Sequence, residues 1–593
     1  MIIVAGWWGK LLEVDLSKGE VKILPVKNEL FKMFLGGSGL GVKIAYDLLK
    51  RGVDPLSPDN IIILASGPLT GSRVYGTSRI SMTSKSPLTM TIFDSTCGGI
   101  FPAYFKWCGF DALIIKGRSE KHVYLHVYDD GAEILSADDL WGLKTSEVIS
   151  ELRKRHGFKC SAIAIGPAGE NLVRFASVMC DDGHAFGRGG LGAVFGSKRL
   201  KAIVASGTKR VIEARPKLLD EMLENMKVRI TWNPYLGGAL RNLGTSSLLT
   251  VINDWGLLPT LNFSKSSFEK AELISGEELS KLTIGKRGCY NCPIACKRRT
   301  KVDGQVIDGP EYESIANLGS MLGVDSLRDI AEMSHLCNEL GADTISMGGT
   351  LACFLELVEK GKIKADIKWG DAGKLKELIV DTAYRRGLGA DLAEGSKRLA
   401  EKYGLPEASV NVKGLEVPAY DPRGAFGMAL SYATSYRGAC HLRSWTIAFE
   451  VLGVPNLVDR FSFYEKPSLV KYTQDLAAVY DSLVMCKHFA VEFDEEPLSQ
   501  LLTAVTGIEF SKEELLRIGE RIWALARLFN LREGFSFKDD ALPPKLSRPL
   551  NEGPIAGRIP PISKMLAEYY AVRGWDSEGK PTNELIERLS LRG

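Results

Sequence analysis

The sequence predicts an α+β protein: a β-rich N-terminal domain followed by two mainly α-helical domains. Three observations carry this. At 593 residues the chain is about four times a typical domain, so two to four domains with buried cores are expected. From residue 1 to about 207, short apolar runs such as Ile61 to Ala65 are separated by turn signals, Ser17-Lys18-Gly19 and Asp129-Asp130-Gly131 among them, which is the mark of strands. After Gly207-Thr208 the apolar spacing turns helical, over Lys217 to Val228, Asp329 to Leu340, Thr350 to Lys360, Gly373 to Tyr384 and Ala390 to Tyr403. The segment Val412 to Pro422, broken by Gly414, Pro418 and Pro422, divides the helical part, so the expected domains are 1–207, 208–416 and 417–593. Residues 42–60 read as helix and then turn.

Composition narrows the function classes. Apolar residues are 45% and charged residues 25%, which is ordinary globular usage. Lys plus Arg number 75 against 72 for Asp plus Glu, and a net charge of +3 gives no global field for nucleic acid. No run approaches the roughly 18 apolar residues of a membrane span. The apolar stretch Met1 to Gly9 lacks a basic leader, so a cytoplasmic location with no membrane partner is expected. Eleven cysteines in so long a chain are not a disulfide scaffold. Cys97, Cys108, Cys160, Cys180, Cys337, Cys353 and Cys440 are scattered singly and read as small buried hydrophobes.

The other four cysteines carry chemistry. Gly288-Cys-Tyr-Asn-Cys-Pro-Ile-Ala-Cys296 places Cys289, Cys292 and Cys296 in C-x2-C-x3-C, a spacing that lets one loop wrap three corners of a cuboidal iron-sulfur cluster. The order is the reverse of the C-x3-C-x2-C used where one iron is left open, so a fourth ligand is expected, and Cys486 is the candidate. Zinc is the alternative, but no second close pair or pair of histidines follows. Lys286, Arg287, Lys297, Arg298, Arg299 and Lys301 flank the cysteines and would either favour the reduced cluster and an acidic carrier, or simply balance thiolate charge.

Two glycine-rich segments, Phe34-Leu-Gly-Gly-Ser-Gly-Leu-Gly41 and Gly187-Arg-Gly-Gly-Leu-Gly192, have the backbone freedom to cradle a phosphate. A nicotinamide site would require an acidic residue on a second strand about 20 positions later, which the first segment lacks. Together with the cysteines, several further segments resemble the aldehyde ferredoxin oxidoreductase family along nearly the whole chain. They are Gly6-Trp-Trp-Gly-Lys10, Ser78-Arg79 with Thr83-Ser-Lys-Ser-Pro-Leu-Thr89, Gly166-Pro-Ala-Gly-Glu-Asn171 and Gly187 to Lys198. The series continues with Gly309-Pro-Glu-Tyr-Glu313, Asp343-Thr-Ile-Ser346 and Arg437-Gly-Ala-Cys-His-Leu-Arg443.

The resemblance implies a β-rich base under a tungsten bis-pyranopterin, a 4Fe-4S cluster on Cys289, Cys292, Cys296 and Cys486, and Mg2+ bridging the pterin phosphates. By motif position, Arg79 lies between cluster and pterin, with a surface ion pair as its alternative. Thr96 and Ala185 offer backbone carbonyls to the Mg2+, and His184 stands where a basic, phosphate-facing residue is usual. Asp343 and Asp481 match the acidic positions that accept from pterin nitrogens, although Asp343 is equally suited to cap a helix. Gly187, Arg188, Gly189 and Arg443 are further cofactor-binding candidates.

Glu313 and His441 are the expected catalytic pair: a carboxylate in an apolar cavity takes a proton, and an imidazole polarises an aldehyde oxygen. A structural ion pair and a satisfied core histidine are their plainer readings. Tyr312 and Tyr420 line the pocket, as wall or as hydrogen-bond donors. Glu332 and His335 share a helix face and match a pair that holds an interface metal in some family members, or form an ordinary surface pair.

The implied activity is tungsten-dependent oxidation of an aldehyde with water to the carboxylic acid, electrons leaving through the cluster to ferredoxin or a small iron-sulfur subunit, in a homodimer or heterodimer. Two alternatives stay open: the same cofactor used reductively on an acid or other activated substrate within a larger complex, and an electron-transfer subunit without pterin.

Overall fold

Short β-branched runs in the first third of the chain pair into two sheets, and the computed structural model, which describes residues 5–591, shows how. Residues 1–4 of the apolar N-terminal stretch lie outside the described residues. The first sheet has the strand order Glu20–Pro25, Lys10–Asp15, Ala112–Lys116, Ile62–Ala65, Ile80–Lys85, Ile92–Cys97. The second runs His184–Phe186, Val178–Cys180, Ser161–Ala164, Leu200–Ala205, Val123–Tyr128, Gly131–Ser136. Each sheet has one parallel pair, Lys10–Asp15 with Ala112–Lys116 and Leu200–Ala205 with Val123–Tyr128, in otherwise antiparallel ladders. Leu12, Val14, Leu64 and Met82 of the first sheet share a core with Leu125, Ile163 and Ile203 of the second. The α+β expectation holds.

The opposite face of the first sheet buries Leu11, Ile63, Ile92 and Ile114 against helices, through Leu40, Val479, Leu483 and Ile522. The helices follow the sequence spacing, with two instructive departures. Helix Thr344–Glu359 begins well before the expected Thr350, because Asp343 caps it with both carboxylate oxygens on the Ile345 and Ser346 amides. The single helix expected over Ala390 to Tyr403 is two, Gly389–Leu392 and Ser396–Lys402, because Gly395 sits between them at φ +87°. The segment Val412 to Pro422, expected as a break between helical groups, is a buried hairpin, Asn411–Val412 with Leu415–Glu416, that leads straight into the buried Tyr420. Among the described residues no helix is long and apolar enough to cross a membrane.

The first glycine-rich segment is a packing device. It opens helix Gly37–Leu48 and lies against the C-terminal end of helix Lys466–Leu483. A Cβ on Gly37 would stand 2.2 Å from the Asp481 carbonyl oxygen, and one on Gly67 2.5 Å from that of Leu483. The Gly39 amide donates to Ser482 Oγ at 3.2 Å. Glycine at these positions lets the sheet layer touch the segment that carries Asp481 and, just beyond, Cys486. Gly37, at φ +43°, is also in a backbone region that other residues adopt with strain.

Gly37→Ala is therefore expected to cost about 2–4 kcal/mol in stability, seen as a lowered melting temperature, and to reduce the iron bound per chain by displacing Cys486. Unchanged melting and iron content would show that this close approach is not needed.

Candidate active site

The cysteine motif is the tip of a hairpin. Strands Thr283–Arg287 and Lys297–Val302 pair antiparallel, and Cys289, Cys292 and Cys296 occupy the connection between them. Two turns in that connection use left-handed residues, Asn291 at φ 54° and Ala295 at φ 49°. Arg298, one of the six flanking cations, is buried and donates to the carbonyls of Ala295, Cys296, Arg241 and Asn242, while Lys297 is buried 3.5 Å from Glu311. These two fix the loop; Lys286, Arg299 and Lys301 are the exposed ones.

The structure brings the cysteines to one another and to Arg79. Burial and then the neighbouring Cys292 push the Cys289 thiol up to about 12, with Arg79 opposing. Burial likewise raises Cys292 and, well above its ordinary value, Cys296, with Cys486 repelling both. Four clustered thiols that would repel one another as thiolates are groups a cation-rich centre could bind by displacing their protons. Burial opposes the charge on Arg79, but Cys486, Cys289 and Cys97 outweigh it and hold the guanidinium charged. Its Nη2 donates to the Thr96 carbonyl at 3.1 Å. Gly98 completes the cradle: a Cβ there would meet Cys289 Sγ at 2.9 Å and Arg79 Nη1 at 3.0 Å.

His184 lies against the cysteine loop. It stands with Nε2 3.8 Å from Cys289 Sγ, and burial, followed by Lys297, Arg79 and Arg287, holds it well below the ordinary histidine range. Without an anion the imidazole is neutral, and the phosphate-facing role its motif position suggests would need a nearby phosphate to raise it. Ala185 pairs with Met179 across strand His184–Phe186. Of the second glycine segment, Gly189 and Gly190 are packed against the Phe93 ring and the Arg174 carbonyl, whereas a Cβ on Gly187 would have Asp343 Oδ1, at 4.0 Å, as its nearest neighbour.

A buried network of opposite charges runs from the first sheet to the helical layer. Arg443 bonds both Asp94 and Asp481, Tyr436 OH donates to Asp94 Oδ1 at 2.8 Å, and Lys487 lies 2.9 Å from Asp481. Burial pushes the Asp481 carboxyl up, but Arg443 and Lys487 more than offset it, so it sits below the ordinary value. Arg437 donates to the Asp94 carbonyl and, at 2.8 Å, to Cys440 Sγ. Arg437, Arg443 and Arg188 outweigh burial and lower the Cys440 thiol, so Cys440 is a hydrogen-bonded acceptor and not the inert small hydrophobe expected. Arg188 donates to the carbonyls of Ala439 and Glu416 and reaches Asp343 at 3.4 Å. From sequence alone, Asp94, Tyr436, Arg437, Cys440 and Lys487 carry no site role, although Arg437 and Cys440 lie in the segment Arg437 to Arg443; for Asp94 the available signal is that it shares a face of strand Ile92–Cys97 with Thr96.

Glu313 and His441 meet in the interior. Glu313 lies in the first turn of helix Tyr312–Leu318, after the Gly309-Pro310 break. Its Oε2 accepts from the Ala419 amide and from Asn317 Nδ2, both at 3.0 Å. Its Oε1 faces His441 Nδ1 at 3.5 Å, and both of these buried atoms lack a hydrogen-bond partner. Burial raises the Glu313 carboxyl to about 7, against the lowering effect of Ala419, Arg188 and Asn317. Burial, with Arg188 and Arg437, keeps His441 well below its ordinary value and so neutral. Tyr312 spends its hydroxyl on the Ala419 carbonyl, and its ring lies 5.2 Å from that of Tyr420, which is 5.8 Å from His441. Tyr312 is thus wall.

Orphaned buried atoms supply the test of fit for a bound group. Besides Glu313 Oε1 and His441 Nδ1, Thr96 Oγ1, Arg437 Nε and Arg443 Nε are buried without partners, the first on the strand of Asp94 and the other two in the arginine network that binds it. An anionic, polar cofactor suits those donors, and four thiols suit a cluster. Glu332 and His335 are not joined: Glu332 pairs with Lys376, and His335 Nε2 is 3.2 Å from Gln305 Nε2.

Comparison with known proteins points to one family. The profile described as aldehyde ferredoxin oxidoreductase, N-terminal domain, matches residues 11–207, and that described as aldehyde ferredoxin oxidoreductase, domains 2 & 3, matches residues 221–591. The tungsten-containing aldehyde ferredoxin oxidoreductase of Pyrococcus furiosus is 43% identical over 601 residues, covering 99% of each chain. That of Thermococcus kodakarensis is 43% identical over 600 residues, again 99% of each. Among solved structures, the active site complex BamBC of benzoyl coenzyme A reductase superposes with a TM-score of 0.87 at 24% identity, covering 99% of this chain and 98% of that one, a likeness of fold.

The raised Glu313 carboxyl has a direct signature. Infrared titration is expected to show a protonated-carboxyl band lost with a midpoint near 7, present below it and absent in Glu313→Gln. A wild-type spectrum with no such band above pH 5.5 would mean that Glu313 is ionised throughout and that burial does not govern it.

Proposed function

The chain belongs to the aldehyde ferredoxin oxidoreductase family, and on that premise we propose that it oxidises an aldehyde with water to the carboxylic acid, the electrons leaving through a 4Fe-4S cluster to ferredoxin. The observation that carries this reading is the facing pair of unpartnered buried atoms, Glu313 Oε1 and His441 Nδ1, in a chain that also gathers Arg79 and four cysteines. When bound, a tungsten bis-pyranopterin supplies the redox chemistry of such an oxidation.

The chain's own residues supply position and protons. Arg79, Arg188, Arg443, Asp343 and Asp481, with Gly187 and Gly189, would hold the pterins, and the Thr96 and Ala185 carbonyls the Mg2+. Cys289, Cys292, Cys296 and Cys486 would hold the cluster. A water reaching the pair from the side would accept from His441 Nδ1–H and donate to Glu313 Oε1, completing both missing hydrogen bonds. Neutral His441 donates to the aldehyde oxygen from its N–H and polarises the carbonyl, at the tautomer that places a proton on the facing nitrogen. Glu313, with a proton affinity matched to neutral pH, accepts a proton from water as it adds to the carbonyl carbon. Tyr420 packs beside His441 and limits where the substrate can lie. The exposed tip of the cysteine loop, Tyr290 and Asn291, together with Lys286, Arg299 and Lys301, is where an acidic ferredoxin would dock.

Glu313→Gln should keep its metals yet lose about 10²–10⁴-fold in turnover. In the wild type kcat/KM should rise with pH through about 7 as the base ionises, and the variant should lose that limb. Near-normal turnover in Glu313→Gln would remove Glu313 from the mechanism.

A further inference from the structure

His441 sits in a stretch with little main-chain support. Residues 435–446 join helix Phe426–Thr434 to helix Ile447–Glu450 without strand or helix of their own. Among the described residues, no main-chain carbonyl accepts from the amides of residues 439–443. Side chains hold this stretch instead. Arg188 donates from Nη1 to the Ala439 carbonyl at 2.7 Å, and the Leu442 amide donates to Cys440 Sγ at 3.4 Å. That second bond runs from a side chain to the amide two residues on, the form in which aspartate and asparagine fix turns, and His441 is at its apex.

The Cys440 sulfur, fully buried, works as an acceptor. Besides the Leu442 amide, Arg437 Nη2 donates to it at 2.8 Å, and among the described residues no oxygen receives its S–H. Two donors and no acceptor, one donor being a guanidinium, suit a sulfur that carries the negative charge itself. Burial opposes that charge, but Arg437, Arg443 and Arg188 outweigh it and lower the thiol. Arg437 in turn joins the turn to the sheet: its Nη1 donates to the Asp94 carbonyl, and its guanidinium lies 4.8 Å from the Phe93 ring. Through this link the turn is set against strand Ile92–Cys97, and His441 Nδ1 comes to face Glu313 Oε1 at 3.5 Å.

We propose that Cys440 is held as a thiolate and is the positioning residue of His441, its sulfur fixing the turn that aims the imidazole at Glu313 and tying that turn through Arg437 to the sheet. The kinetic consequence rests on the aldehyde-oxidation reading of the Glu313–His441 pair; the geometry does not. Without the sulfur, the Leu442 amide and one arm of Arg437 lose their acceptor in a dry interior, and the imidazole is no longer held to one direction.

The test compares the metal-loaded wild type with Cys440→Ser, Cys440→Ala and Cys440→Asp. The difference spectrum of wild type minus Cys440→Ser should show, at neutral pH, the ultraviolet band that a thiolate has and a thiol lacks, where an ordinary cysteine is mostly protonated. Cys440→Ala should keep its tungsten and iron, lose about 10–100-fold in kcat with KM little changed, and displace the Glu313 carboxyl band in the infrared. Cys440→Asp restores both the charge and the turn acceptor and should recover most of kcat, and neutral Cys440→Ser should recover less. No thiolate band, an unchanged kcat in Cys440→Ala, tungsten lost from Cys440→Ser and Cys440→Ala alike, or Cys440→Asp and Cys440→Ser both no better than Cys440→Ala, would overturn the proposal. If the loaded wild type oxidises no aldehyde, the oxidation reading fails separately, and the spectra decide the position of His441. The thiolate band together with a Glu313 band displaced in Cys440→Ala then upholds the proposal, and the absence of either overturns it.

Discussion

Everything in the interior depends on one electrostatic constraint: charges buried between the N-terminal sheet and the helical layer must be answered by opposite charge. Asp94, Asp481, Arg437, Arg443 and Lys487 do this at the junction, in a network whose members come from a strand, a loop and a helix end far apart in sequence. An unanswered buried charge costs several kcal/mol, so the three segments are held together or none is. Arg79 repeats the pattern next door, where cysteine thiols are its counter-groups. The proposed catalytic pair, Glu313 and His441, leaves two orphaned atoms facing each other in the same dry interior. Sites that act on a substrate tend to leave such groups unsatisfied until the substrate arrives.

The glycines make that junction geometrically possible. Gly37 and Gly67 let backbone touch backbone at Asp481 and Leu483, and Gly98 leaves room beside Cys289 and Arg79. Burial then tunes the chemistry: the same desolvation raises Glu313 to about 7 and holds His441 neutral. In the proposed reaction one is a base suited to neutral pH and the other a donor that carries no charge.

Much of this was legible in the sequence because it is local. The C-x2-C-x3-C spacing is a property of one loop, the helical periods of single helices, and the glycine and arginine motifs of short segments that resemble one family. What escaped is what the fold brings together. Asp94 gains meaning only from Arg443 and Arg437, nearly 350 positions away, and Cys440 becomes a hydrogen-bond acceptor only because three arginines surround it. Lys297 and Arg298 read as a surface patch until the hairpin turns them inward. The split at Gly395 depends on a backbone angle that no apolar spacing records. The phosphate-cradle reading of Phe34 to Gly41 is chemically sound for glycine, but close helix packing makes the same demand.

The most direct test is elemental analysis of anaerobically purified protein, expressed with tungstate and iron, beside a Cys486→Ala variant. About one tungsten and about four iron per chain are expected in the wild type, with iron largely lost from the variant. A wild-type chain that binds iron but neither tungsten nor molybdenum, or a variant that keeps its full iron, would contradict the account.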